Sequence, residues 1–207
     1  MVAAGDRLPL EQLLQHPRLW RGRSATVAAV LPTGFPLLDE ALPGGGWPRS
    51  GLVEVLAPRQ GMGALQLWLP ALATLTAAAE ARWSAFIAPP FDLFAPALSV
   101  AGVRLDRLLL VRRGALEWSV ETALQSGGCD AVLAWAPALL PAALRRFALA
   151  AEQGRALGVL FRPAEAGEQA SPAVLRIGLQ ASPAGLRLQF LKRRGGGAPV
   201  LELPWPA

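Results

Sequence analysis

The chain has 207 residues, 53% of them hydrophobic and 17% charged, with a net charge of +5, one Cys and one His. That length supports one domain with a substantial core, and that apolar content excludes disorder. A single Cys excludes an internal disulfide and a Cys-rich metal cluster, no stretch has the length and flanks of a membrane span, and no basic-then-apolar leader opens the chain, so a cytoplasmic protein is expected.

Residues 1–30 read as an N-terminal helix and connector, and residues 31–207 as a core domain with a C-terminal hairpin and tail. "LPLEQLLQHPRLW" (8–20) begins as an amphipathic helix and stops near Pro17. Leu10, Leu13, Leu14 and Trp20 form its apolar face, a candidate partner contact. "LPTGFPLLDEALPGGGWPRSG" (31–51) is rich in turns. Trp47 there, and Trp205 between prolines, are further candidate contacts because Trp concentrates at interface hot spots. Apolar runs short enough to be buried strands follow at 52–57, 84–88, 107–111, 130–135 and 156–161. Helical segments at 64–80, 92–101, 117–126 and 141–153 alternate with them. In the last, Pro141 suits the first turn and Gly154 the stop. Such alternation predicts an α/β domain with a mainly parallel sheet flanked by helices.

"RPAEAGEQAS" (162–171) reads as a mobile loop. "PAVLRIGLQ" (172–180) and "LRLQFLKRR" (186–194) read as a β-hairpin, with a short strand at 199–203. Residues 1–100 carry seven basic and seven acidic side chains, whereas 101–207 carry thirteen and eight. The densest basic run in that half is Lys192, Arg193 and Arg194, a candidate phosphate contact.

One junction raises a chemical question. "GLVEVL" (51–56) leads into "LAPRQGMGALQ" and then a long apolar segment. Strand, Gly-bearing loop and helix is the layout of a phosphate-binding loop, but the Lys and Ser/Thr that such a loop uses are missing. His16 is isolated beside Pro17, and no nucleophile or metal set assembles around it or around Cys129. Asp92 suits a helix start and Asp130 a strand start.

The leader motif gives this junction a setting. "LPTGFPLLDEALPGGGWPRSGLVEVLAP" resembles the segment that enters the nucleotide loop of the RecA-like superfamily, and the likeness runs over about residues 31–194. The resemblance implies a RecA-like P-loop NTPase-type core with a degenerate nucleotide site. Its vestigial loop positions are Ala57, Pro58, Gly61, Met62, Gly63, Ala64 and Leu65. Pro90 falls at the catalytic Glu position and Trp135 at the magnesium Asp position. No catalytic residue, cofactor or metal site is then expected, and the chain is not expected to be an enzyme. More narrowly, "LPTGFPLLDEALPGGGWPR", "WSAFIAPPFDLFAPAL" and "FLKRRGG" resemble the ImuA family linked to translesion DNA synthesis. That implies an ImuB-like Y-family polymerase homologue as partner, with a DnaE-type error-prone polymerase and RecA as further partners; the short stretch after residue 161, with one Arg and two Glu, leaves at most weak DNA binding expected. The alternative is a SulA-like cell-division inhibitor that binds the tubulin-like division protein. Both groups share a degenerate loop followed by an apolar helix, here "GMGALQLWLPAL".

Overall fold

The computed structural model describes residues 30–61, 63–193 and 200–204. The expected N-terminal helix, with Leu10, Leu13, Leu14 and Trp20, lies outside the described residues, as do Met62, Arg194 and Trp205. Ten strands are described: β1 (Val30–Leu31), β2 (Trp47–Pro48), β3 (Gly51–Ala57), β4 (Trp83–Ile87), β5 (Leu108–Val111), β6 (Cys129–Trp135), β7 (Leu157–Pro163), β8 (Leu175–Ser182), β9 (Gly185–Lys192) and β10 (Val200–Pro204). The α-helices are α1 (Pro36–Ala41), α2 (Leu69–Ala77), α3 (Ala95–Val100), α4 (Leu116–Gln125) and α5 (Pro141–Gln153).

β1 and β2 form a small antiparallel pair. The other strands form one mixed sheet in the order β10-β9-β8-β3-β7-β6-β4-β5. From β8 to β5 every neighbouring pair is parallel. β9 and β10 extend it as antiparallel neighbours. β3 sits inside this order and is buried from Gly51 to Leu56, which is why its sequence reads as one apolar run and not as an alternation. Side chains still alternate between faces. Val53 and Val55 pack with Leu67, Trp68 and Leu72 at α2, whereas Leu52 packs with Leu124 of α4 and Leu144 and Phe147 of α5. α5 buries Ala143, Leu144, Phe147, Ala150 and Ala151, the three-and-four spacing of one helix face. Each large apolar side chain buried this way contributes about 1.5–3 kcal/mol.

The segment expected to be helical from residue 64 is divided. Gln66–Trp68 form a 3₁₀ turn and α2 begins at Leu69, because Pro70 fits only the first turn of a helix. The expected mobile loop at 162–171 is replaced by structure: β7 runs to Pro163, and Ala164–Glu168 form a 3₁₀ helix. A buried ion triad orders it. Glu54 on β3 accepts from Arg162 on β7 and from Arg176 on β8, each at 2.6 Å, and all three side chains are buried. Arg176 also donates to the carbonyls of Ala166, Gly167 and Gln169, so its guanidinium fixes the turn of the 3₁₀ helix.

A candidate partner-binding surface at the strand ends

The carboxyl ends of the parallel strands place the loops 58–65, 88–94, 112–115, 136–140 and 164–169 at one end of the sheet. In open α/β sheets this is the end that receives ligands. In the loop after β3, Gly61 (φ 80°) and Gly63 (φ 76°) adopt the left-handed backbone that glycine tolerates. The Gly63 carbonyl accepts the Gln66 N–H at 3.0 Å, starting the 3₁₀ turn. Ala57, Ala64 and Leu65 pack against the core. A Cβ at Gly61 would stand 3.4 Å from the Phe91 ring, so the loops after β3 and β4 touch. Trp135, at the end of β6, stacks on Phe161 (centroids 4.6 Å apart) and on Phe86 (6.3 Å). An anion cradle needs a cation and free N–H groups; this end is filled by hydrocarbon and aromatic rings.

Around this packed floor the rim is apolar. Phe91 is 62% exposed, Phe94 70% and Leu140 72%. Between the two phenylalanines, Asp92 accepts from Arg112 beyond the end of β5, which holds the 88–94 loop against that strand. A hollow of about 390 Å³ lies beside Leu140, lined also by Leu139, Arg162, Glu165 and Gln169. Clustered exposed aromatics mark contact surfaces, because each forfeits burial until a partner covers it. Sequence reasoning passed over Phe91 and Phe94. The available signal was "PPFDLF", two Phe after a double proline and outside any periodic run.

The other expected contacts fall elsewhere. Trp47 is fully buried and stacked on Trp68 with centroids 4.1 Å apart, so it offers no surface to a partner. Its place in the "GGGWP" turn concealed a core anchor that ties the leader segment to α2. Pro90 is exposed on the loop after β4. Lys192 donates to the Ser171 carbonyl at 2.8 Å, and Arg193 donates to the Ala41 carbonyl while lying over the Phe190 ring. Asp130 pairs with Arg82 at 2.8 Å. Cys129 is buried, and that burial pushes its thiol pKa up. Among the described residues no group of three or more His, Cys, Asp or Glu is placed to hold a metal, and no helix is long and apolar enough to cross a membrane.

The described residues thus form an α/β domain with a filled strand-end floor and exposed apolar side chains beside it. No protein-family model matches the chain. It is 33% identical over 121 residues to the cell division inhibitor SulA of Edwardsiella piscicida, an alignment covering 57% of this chain and 71% of that protein. It is 32% identical over 140 residues to the SulA of Pseudomonas aeruginosa, covering 62% and 84%. Against the SulA of Photorhabdus laumondii it is 34% identical over 100 residues, covering 47% and 56%. The crystal structure of SulA from Pseudomonas aeruginosa superposes with a TM-score of 0.45 at 30% identity, covering 54% of this chain and 97% of that one. The chain belongs to the SulA family.

Two expectations are corrected. The RecA-like P-loop NTPase-type core gives way to a SulA-family α/β domain with a mixed sheet. Ala57, Ala64 and Leu65 pack against the core there, and Gly61 and Gly63 turn the backbone. The ImuB-like polymerase homologue, the DnaE-type polymerase and RecA also fall away as partners, because the relatives are named as inhibitors of cell division.

Proposed function

We propose that this chain is a SulA-like, damage-induced inhibitor of cell division that acts by binding the tubulin-like division protein and not by chemistry. The observation that carries the reading is 32–33% identity over 71–84% of the length of two proteins named as cell division inhibitors. The rim of Phe91, Phe94 and Leu140 supports it by supplying a contact surface of suitable kind. Covering an exposed Phe contributes about 1.5–3 kcal/mol, so two at the centre of a contact account for much of a micromolar affinity. Arg113, next to the Asp92–Arg112 pair, adds a positive charge to this border.

Overproduction in dividing bacteria without DNA damage tests the reading. The wild-type chain should produce filaments, and the Phe91→Ser/Phe94→Ser double variant, folded by circular dichroism, should not. Normal division under wild-type overproduction sinks the proposal.

A further inference from the structure

Arg162 stands at the carboxyl end of β7 with its guanidinium only partly satisfied. Nη1 donates to Glu54 at 2.6 Å, and Nη2 donates to the side-chain oxygen of Gln169 at 3.2 Å. Nε has no partner among the described residues, although the side chain is only 1% exposed. A buried donor left unpaired is costly and calls for a reason. Arg176, the other cation of the triad, is better served, since it adds three carbonyls to its bond with Glu54. Glu54 has spent one oxygen on each arginine. Two guanidinium groups and one carboxylate leave the buried cluster with one positive charge over, and the unspent donor is on Arg162.

The chemistry of that donor is specific. Nε–H and one Nη2–H run parallel along one edge of the planar guanidinium, the edge that grips a carboxylate through two bonds. Here the edge holds one long bond to a neutral amide. Gln169 is exposed, and its backbone is pinned: its N–H donates to the Ala166 carbonyl at 3.2 Å and its carbonyl accepts from Arg176 at 3.0 Å. Rotation of the Gln169 side chain alone therefore frees the edge. Both residues line the hollow of about 390 Å³ beside Leu140, with Leu139 and Ala166 in its apolar wall. That volume suits a small ligand. Two carboxylates also line it: Glu117 is engaged by Arg146 at 2.8 Å, and Glu165 is exposed and makes no bond to Arg162. Their charge disfavours a dianion such as phosphate, and the apolar wall favours a tail.

We propose that this hollow binds a monocarboxylate with a compact apolar tail. The carboxylate displaces the Gln169 amide and accepts from Nε and Nη2 of Arg162, which balances the surplus charge of the triad, while the tail covers Leu139 and Leu140. A free branched-chain acid and the carboxyl-terminal residue of a peptide present this same chemistry. The inference does not depend on the inhibitory reading.

NMR titration of the intact chain tests it, read at the Arg162 Nε–H resonance. Millimolar 3-methylbutanoate should move that resonance and the methyl signals of Leu139 and Leu140, whereas 3-methylbutanamide and inorganic phosphate should not. N-acetylleucine separates the two sources: tighter binding than 3-methylbutanoate marks a peptide end, and equal or weaker binding a free acid. Gln169 is exposed, so its variants keep the fold. Gln169→Ala clears the edge and should tighten binding about fivefold. Gln169→Glu sets a carboxylate of the chain's own on the same two donors and should abolish binding. An Nε–H resonance that 3-methylbutanoate leaves unmoved in both the wild type and Gln169→Ala overturns the proposal. So does a response to the amide or to phosphate as large as that to the acid, or undiminished binding by Gln169→Glu.

Discussion

Arginine holds the sheet together at two places, in opposite ways. In the triad, Arg162 and Arg176 are buried and share one carboxylate, Glu54. At the amino ends of the strands, Arg82 is half-buried and satisfied mostly by backbone: its guanidinium donates to the carbonyls of Gly127, Gly154 and Arg155 as well as to Asp130. The first arrangement has no water to fall back on; the second does. The lesson concerns what a missing partner leaves behind. Burying an ion pair adds little net stability, but removing one member strands the others in a medium that does not solvate them. Glu54→Gln therefore has the largest expected effect. It leaves two buried guanidinium groups sharing no anion and should cost about 3–5 kcal/mol. At about 2–4 °C per kcal/mol for a chain of this size, the melting temperature falls by on the order of 10 °C, measurable by calorimetry. A Glu54→Gln chain that melts with the wild type would show that the triad is not charged as drawn.

Arg176→Met sharpens the same contrast from the other side. Glu54 keeps Arg162, so the charge is still paired, but the carbonyls of Ala166, Gly167 and Gln169 lose their donor. The expected cost is about 2–3 kcal/mol, with amide exchange rising over 164–169 before the rest of the sheet. Uniform loss of protection would mean that the 3₁₀ helix stands without Arg176. Arg82→Ala comes next. Its backbone N–H still donates to Asp130 at 2.8 Å, and of the three released carbonyls those of Gly127 and Arg155 lie where water can reach them, whereas that of Gly154 is part-buried. About 1–2 kcal/mol is expected from urea denaturation. A loss matching Glu54→Gln would erase the distinction between the two sites.

The sequence disclosed the parts whose signal is local. The strand runs at 52–57 and 130–135 and the helix at 141–153 were legible because burial on both faces, or on one helical stripe, leaves an apolar pattern. The ion triad was not legible, since its members are 108 and 122 residues apart and each reads as a stray charge in an apolar strand. The tell was opposite charges inside buried runs, but pairing them requires knowing that β7 and β8 flank β3. Trp47 was misplaced because "GGGWP" looks like a surface turn, and only the stack on Trp68 shows what the turn delivers. The rim escaped for the reverse reason: Phe91 and Phe94 look like core residues until the loop that carries them is seen to leave the sheet. The resemblance to RecA misassigned the fold, and the relatives named as cell division inhibitors correct it.

The smallest effect expected is at a third arginine, and it completes the comparison. Arg104 pairs with Asp106 at 2.8 Å in full view of solvent. Its hydrogen bond holds the Asp106 carboxyl below the usual carboxylate range. A depressed folded-state value means that any stability the pair supplies is present above the ordinary carboxylate range and fades as pH falls through the lowered one. Water screens both groups, so Arg104→Ala should lower the urea midpoint at neutral pH only slightly. The Asp106 carboxyl should nonetheless titrate higher in the variant, followed by NMR. A midpoint that moves further than the titration shift requires would show that exposure alone does not separate this pair from the triad. A midpoint that moves no further than the titration shift requires shows that it does, because the contact then contributes only what its effect on the proton's affinity demands.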